Sequence, residues 1–316
     1  MIYIHSKQII PITPILNIQK HIEGFIPLSI SIGPKQDLLI LFAEEQPPLV
    51  DHRFPATVTE EYYSYKVLRL KDGEETVLHL PNEQWNYHIV ESIDDDHILL
   101  ACARSIYHDE THVDQNGRVY DWEGNLIRSF CLGDGIDHIY TTKNNQMWTG
   151  YFDEGVYGNY GWKKPIGNSG LVGWDHEGNI IDDGNDRKLT GECLALNVAV
   201  NDEIWYFIGM DAQIGLMNES GEFQFSTDAL GFQTFAINGD TMVVHREYFD
   251  HHHFFELDRK ADSYEIVQEL DFRKPDGNPL RPQLTSNRAD RLLFLDGSEL
   301  YYYSIFDVFS HYKLSV

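Results

Sequence analysis

The sequence has few basic residues, few cysteines and no long apolar segment. Of its 316 residues, 24 are Lys or Arg and 50 are Asp or Glu, which gives a formal net charge of −26 at pH 7. A surface this anionic repels phosphate groups, so we expect neither nucleic acid nor an anionic membrane as a partner. Hydrophobic residues still make up 42% of the chain, which is enough for a folded core.

The three cysteines, Cys102, Cys131 and Cys193, are widely spaced and include no CxxC pair. This excludes a disulfide framework and a zinc knuckle, and we expect buried, inert thiols. Pro11 and Pro14 interrupt the apolar residues near the N-terminus, so no secretory signal is predicted. Because no apolar run is long enough to span a bilayer, we expect a soluble, cytoplasmic protein.

Helix signals are nearly absent, and the common catalytic motifs are missing as well. The sequence has no GxSxG, no phosphate-binding P-loop, no HExxH and no GxGxxG between a strand and a helix. The run Asp94–Asp96 looks like a series of calcium ligands, but it fits a tight hairpin turn in which Asp binds the local backbone. No reaction follows from motifs alone.

What recurs instead is a unit of four short apolar segments separated by turns rich in Asn, Asp and Gly. Its clearest copy has segments at 138–142, 147–152, 170–175 and 180–181. Six copies occupy approximately residues 25–82, 83–133, 134–190, 191–230, 231–280 and 281–316.

Six copies of a four-stranded unit predict an all-β fold, a six-bladed β-propeller of antiparallel blades that forms one domain over 1–316. A large β-sandwich is the alternative, but sandwiches do not repeat a four-strand unit with the same turn chemistry. Residues 1–24 precede the first copy. We expect this segment to close the ring, with Met1 to Ile12 pairing with the last copy.

The pattern resembles the NHL, YncE-like and SMP-30 (gluconolactonase) group of propellers, through its turn-then-strand rhythm and the phrases at 122–125 and 174–179. The SMP-30 resemblance implies a divalent cation (Ca, Mg, Mn or Zn) held by Glu, Asn and Asp at the channel mouth. The corresponding positions here are Glu44, Asp137, Asn197 and Asp153. The segment 134–162 is also similar to one in a set of bacterial proteins with which no activity is associated.

In a propeller, the loops between the second and third strands open on the same face as the loops that lead into the first strands, and binding sites collect there. Four of these predicted loops are long, at 44–61, 104–116, 153–169 and 246–253. The residues predicted to form a ligand-binding face are Asp153, Glu154, Tyr157, Tyr160, Trp162, Arg104, His108, His245, Arg246 and Glu247.

Two histidine groups in these loops are candidate transition-metal ligands. One pairs His108 with His112 beside two aspartates, and the other is the run 251–253, of which at most two can reach one ion from a strand.

Two function classes stay open. The first is a binding module or scaffold that presents the loop-rich face to a small molecule or protein. The second is a divalent-cation-dependent hydrolase or lactonase at the channel mouth.

Overall fold

A computed structural model describes residues 6–47, 56–187, 191–210, 212–248 and 251–306, without the side chains of 247, 248 and 251. The chain divides into two compact units. Unit 1 comprises 1–20 and 194–316, and unit 2 comprises 21–193. Nearly all regular structure is β. Within the described ranges, no helix combines the length and apolarity needed to cross a membrane.

The N-terminal strands β1 (Lys7–Pro11) and β2 (Pro14–Asn17) belong to unit 1 and join two different sheets. β1 runs parallel to a strand of the largest sheet, and β2 pairs antiparallel with the last strand of the chain. Prolines at the end of β1 and the start of β2 fit these positions, since proline donates no backbone hydrogen bond to a ladder.

Unit 2 contains three four-stranded antiparallel meanders, in which consecutive strands are neighbours. The first consists of β3 (Ile26–Ile32), β4 (Leu38–Ala43), β5 (Val58–Lys71) and β6 (Glu74–Trp85). The second consists of β7 (Ile89–Ser92), β8 (His97–Ala101), β11 (Gly117–Asp121) and β12 (Leu126–Phe130), with a small hairpin of β9 (Tyr107–Asp109) and β10 (His112–Val113) inserted after β8. The third consists of β13 (Ile136–Thr141), β14 (Met147–Tyr151), β15 (Leu171–Trp174) and β16 (Ile180–Asp182), with the short helix α1 (Asp153–Tyr157) after β14.

The second strand of each unit 2 meander is the most deeply buried. Every residue of β4 and of β14 is buried, and neither strand shows the alternation of a half-exposed strand. The fourth strands β12 and β16 are mostly exposed, and their apolar side chains reach solvent. Continuous apolar runs therefore mark strands covered on both faces.

The predicted turn chemistry is present in unit 2. Asp121 accepts the backbone N–H of Asn125 at 2.8 Å, and Asp175 accepts that of Asn179 at 2.8 Å. Asp94 accepts the backbone N–H groups of two following residues at 2.9 and 2.8 Å. Asp94 thus serves the local backbone, as expected for a turn aspartate.

The remaining strands lie in unit 1. They are β17 (Cys193–Val198), β18 (Ile204–Ile208), β19 (Gln213–Asn218), β20 (Gly221–Thr227), β21 (Thr234–Asn238), β22 (Thr241–Tyr248), β23 (His251–Lys260), β24 (Ser263–Arg273), β25 (Leu284–Arg288), β26 (Arg291–Asp296) and β27 (Glu299–Ser304). β25 to β27 form a four-stranded sheet with β2. β17 to β20 and β21 to β24 are two further meanders, but they belong to one sheet.

The prediction of six separate blades is therefore corrected. Among the described residues, four sheets have four strands each, and β17 to β24 form a nine-stranded sheet with β1. The cause is the length of β24, which has 11 residues. Its first residues pair in parallel with the end of β20, and its last five with β1.

The predicted role of the N-terminal segment is also revised. Residues 14–17, rather than Met1 to Ile12, complete the last sheet, where Pro14 lies opposite Tyr301. Residues 7–11 pair with β24 instead. Residues 307–316, the end of the sixth predicted copy, lie outside the described residues.

Candidate functional site

Two long loops of unit 2 meet and form one continuous surface. The loop 103–116 follows β8, and the loop 152–162 follows β14. The Tyr107 N–H donates to the Tyr160 carbonyl at 3.0 Å, and the Trp162 indole N–H donates to a backbone carbonyl of the first loop at 2.7 Å. The rings of Tyr107 and Trp162 pack 5.1 Å apart. We call these two segments together the loop surface.

Arg104 lies at the centre of the loop surface and is only 2% exposed. Its guanidinium donates two parallel hydrogen bonds to the Asp134 carboxylate, at 2.8 and 2.9 Å, and a third to Glu154. Asp134 also accepts the Ser105 N–H at 3.0 Å. Two-pronged pairing of this kind fixes orientation as well as charge. The arginine thus ties the first loop to the segment before β13 and to α1.

The charge on Arg104 is retained despite its burial. Burial opposes ionisation, but the hydrogen bonds and charges of Asp134 and Glu154 outweigh it and raise the pKa of Arg104. The Tyr160 ring lies over the guanidinium, with its centroid 4.1 Å from the central carbon. An aromatic face attracts a cation, most strongly where water is excluded.

Two glycines allow α1 to approach Asp134. A Cβ on Gly155 would lie 2.5 Å from the Asp134 carbonyl oxygen, closer than any real contact. Gly135 has φ +74°, a conformation that favours glycine, and its own Cβ would meet the Gly155 nitrogen at 2.2 Å. The glycines in these two segments therefore permit the contact that brings Glu154 to Arg104.

Asp153 of the loop surface lies near two further carboxylates of unit 2, Asp137 and Glu192. Asp137 and Asp153 are exposed, and Glu192 is half-buried. Burial, together with the negative charges of Asp153 and Asp137, raises the pKa of Glu192. Asp137 and Asp153, two of the four predicted metal ligands, thus share Glu192 as a neighbour. Glu192 was not predicted, although it directly precedes a first strand, where the propeller rule would place site residues.

His88 also lies near Arg104. Burial is the main cause that lowers the pKa of His88 to about 4, and the positive charge of Arg104 acts in the same direction. Its Nε2 is 3.9 Å from the sulfur of Cys102. Burial raises the pKa of that thiol to about 12. At neutral pH, His88 is therefore an uncharged imidazole beside a protonated thiol.

His108 and His112 are close together but stack face to face. Their ring centroids are 4.3 Å apart at an interplanar angle of 16°, so their in-plane nitrogen lone pairs do not converge. His108 Nε2 lies 3.2 Å from an Asp114 oxygen, and the other oxygen of Asp114 accepts the Ile106 N–H. Within the described part of the chain, no three His, Cys, Asp or Glu side chains are placed to hold a metal ion.

The other two predicted metal ligands lie elsewhere. Glu44 is exposed just after β4 in unit 2. Asn197 is fully buried in unit 1, where its amide donates to two backbone carbonyls at 2.7 and 2.9 Å and accepts the Ala289 N–H at 2.6 Å. These hydrogen bonds would have to break before Asn197 could bind a cation.

The predicted site residues His245, Arg246 and Glu247 belong to unit 1. His245 is 2% exposed, and its Nε2 lies 3.1 Å from Nδ1 of His252. Burial, followed by the charges of neighbouring histidines, lowers the pKa of His245 to about 3. Arg246 is half-buried in β22, and the side chain of Glu247 lies outside the described residues.

No family model matches the chain, and no curated protein does either. Several solved structures are similar in fold comparisons. They are virginiamycin B lyase from Staphylococcus aureus (12% identity, 91% of this chain and 96% of that one, TM-score 0.48), a streptogramin B lyase (12%, 88% and 83%, 0.45) and PQQ-bound aldose sugar dehydrogenase from Streptomyces coelicolor (10%, 92% and 97%, 0.42).

Proposed function

We propose that the protein is a binding module and that the loop surface holds its ligand. The observation that supports this most directly is the buried ion group, in which Arg104 joins Asp134 to Glu154 across two loops. A loop that a ligand must order loses conformational entropy on binding, whereas a loop ordered beforehand does not. The ion group therefore prepares this surface for binding.

The accessible groups favour a small organic cation as the ligand. Asp153 and Tyr157 are four residues apart in α1 and so lie on one side of it, and the Tyr157 ring is 64% exposed. Carboxylates beside an exposed ring suit an ammonium group, which is attracted both to negative charge and to an aromatic face. The net charge of −26 also attracts cations and repels nucleic acid.

The test is calorimetric titration with spermidine and choline at low salt. We expect saturable binding of at least one probe, weakened about tenfold or more by the double variant Asp153→Asn, Glu192→Gln, since each lost charge contact contributes on the order of 1 kcal/mol. Glu123→Gln removes one charge from an exposed turn of the same unit and is the control. If neither probe binds, or if the control weakens binding as much as the double variant, this ligand class is wrong.

A divalent-cation-dependent hydrolase or lactonase is the second candidate. It is supported by Glu192, whose pKa is raised by burial and by two neighbouring carboxylates, because a bound cation would relieve that repulsion. Oxygen donors of this kind suit Ca²⁺, Mg²⁺ or Mn²⁺.

This candidate is tested by metal analysis of protein purified without a histidine tag and by melting before and after EDTA. The hydrolase becomes the better candidate if the protein holds a stoichiometric ion whose removal lowers the melting temperature. Asp153→Ala should then abolish both the bound ion and the effect of EDTA on melting. Lactone hydrolysis would then be measured with the reloaded protein. A metal-free protein whose melting EDTA does not change would leave the organic cation as the better proposal.

A further inference from the structure

Unit 1 contains a cavity of about 590 Å³ that is independent of the proposed function. It lies at the turns between the first and second strands of three meanders, 199–203, 238–240 and 289–291. The third of these turns is hydrogen-bonded to two neighbouring strands: the Ala289 N–H donates to the Val198 carbonyl at 3.1 Å, and the Ala289 carbonyl accepts from a β21 N–H at 2.8 Å. These bonds fix one wall of the cavity. Its volume is in the range of about 300–1,000 Å³ typical of small-molecule sites.

The floor of the cavity is apolar. It is formed by Trp205, Leu216 and Ile237, each of which is less than 9% exposed. Trp205 is held from behind by Tyr264, whose ring packs edge-on with centroids 6.3 Å apart. A rigid aromatic floor of this kind accepts an apolar side chain of a ligand without losing much conformational entropy.

The walls carry charges of both signs. Arg259 lies 3.5 Å from Asp240, and Arg291 lies 3.6 Å from Asp290. The Arg259–Asp240 distance exceeds that of a close charge-assisted hydrogen bond, about 2.7–2.9 Å. The side chains of Arg259 and Asp240 are 41% and 77% exposed, so a ligand can reach both.

We infer that this cavity binds a zwitterionic small molecule of the amino-acid type, with an apolar side chain. A purely anionic ligand would meet the carboxylates of Asp240, Asp290 and Glu203, and a purely cationic ligand would meet two guanidinium groups. A zwitterion can pair with both the carboxylates and the guanidinium groups. Its carboxylate is paired with Arg259, its ammonium group with Asp240, and its side chain packs on Trp205. Because the Arg259 nitrogen and the Asp240 oxygen are 3.5 Å apart, a ligand that pairs with both must carry its two charges close together, as an α-amino acid does.

The experiment is titration calorimetry with L-phenylalanine and three probes that each lack one feature. N-acetyl-L-phenylalanine lacks the ammonium charge, L-phenylalanine amide lacks the carboxylate, and glycine lacks the side chain. We expect saturable binding of L-phenylalanine and at least tenfold weaker binding of each probe.

Three variants locate the site. Arg259→Gln and Asp240→Asn each remove one proposed contact from an exposed pair, so the fold should be little affected. Val200→Trp adds bulk at the cavity mouth, where Val200 is 56% exposed. Each should weaken L-phenylalanine binding at least tenfold without a change in melting temperature. Asp262→Asn, at an exposed position away from the cavity, should have no effect.

Several results would overturn the inference. These are the absence of saturable binding for L-phenylalanine, L-leucine and L-tryptophan at millimolar concentration, or binding that all three variants leave unchanged. Equal affinity for the amide would indicate a cation site, and equal affinity for the acetylated probe would indicate an anion site. Because Asp153 lies in unit 2, Asp153→Asn should not change amino-acid binding. If amino-acid binding is not found, the proposal for the loop surface is unaffected, because its own test uses other ligands and other variants.

Discussion

The loop surface of unit 2 and strand β22 of unit 1 each bury an ionisable side chain, Arg104 just after β8 and His245 within β22. Arg104 and His245 are each 2% exposed. Arg104 is paired with Asp134 and Glu154, which raise the pKa of a guanidinium that is already charged at neutral pH. His245 is neutral mainly because burial lowers its pKa, and its close neighbours are another imidazole and the Phe254 ring, 4.6 Å away. At the same exposed fraction, the guanidinium therefore stays charged, whereas the imidazole, whose ordinary pKa lies near neutrality, does not.

The two side chains also differ in how far along the chain their hydrogen-bond partners lie. Arg104 is hydrogen-bonded to residues 30 and 50 positions away, whereas the partner of His245 is only seven positions away. A charged group with several donors can join distant segments, while an imidazole pair fixes a local hairpin. Arg104 is therefore expected to contribute more to tertiary order than His245, and the following changes test this.

Arg104→Met should cause the largest loss of stability. The change leaves the Asp134 carboxylate, which is 0% exposed in its side chain, without its counter-ion. Breaking one side of a buried ion pair costs about 3–5 kcal/mol. Urea unfolding measures the loss, and Arg128→Met, which removes a single exposed hydrogen bond, is the matched control. A loss no larger than that of the control would show that the ion group does not stabilise unit 2.

The neutral imidazole of His245 should make the protein sensitive to acid. Its pKa is about 3 in the folded protein, lowered mainly by burial. Because the unfolded chain takes up this proton near pH 6.5, stability is complete above that pH and falls as the pH drops toward 3. Between pH 6.5 and 4 the loss should be about 3 kcal/mol, at about 1.4 kcal/mol per pH unit.

Urea unfolding at pH 7, 6, 5 and 4 measures this dependence, and His245→Gln should flatten it. His88 also has a lowered pKa, about 4, and contributes in the same direction. The comparison is therefore made in the His88→Gln background. An unchanged slope in the double variant would mean that His245 is not the responsible group.

Gly155→Ala should have an intermediate effect on the loop surface. The new Cβ would lie 2.5 Å from the Asp134 carbonyl oxygen and 2.8 Å from that of Gly135, and neither backbone group can move freely. Forcing an extra methyl group into a close contact costs typically about 1–3 kcal/mol. Ser220→Ala, at an exposed position of unit 1, should be neutral in the same unfolding measurement. An equally neutral Gly155→Ala would show that α1 can shift away from Asp134.

The parts of the fold that the sequence predicted are those set by local pattern. Turns such as Asp121–Asn125 and buried runs such as β4 follow from neighbouring residues. The pairing of β20 with β24 depends on how far β24 extends beyond its own meander. The residues within one strand do not indicate that length.

The same limit applies to the site. Arg104 and Glu154 are predicted as ligand-binding residues, and the structure shows in addition that they bind each other. Sequence cannot tell which charges neutralise one another when 50 positions separate them. Glu192 was missed because it stands alone between Gly191 and Cys193, with no motif around it.

Glu154→Gln should have the smallest effect, and it separates the two carboxylates of the ion group. The Glu154 side chain is 29% exposed, so water can solvate the new amide group. Arg104 keeps both of its hydrogen bonds to Asp134. A partly exposed ion pair contributes about 1 kcal/mol or less. Asp134→Asn, at a fully buried site, should cost several times more in the same urea measurement. Equal losses would mean that Glu154 is as necessary to the loop surface as Asp134.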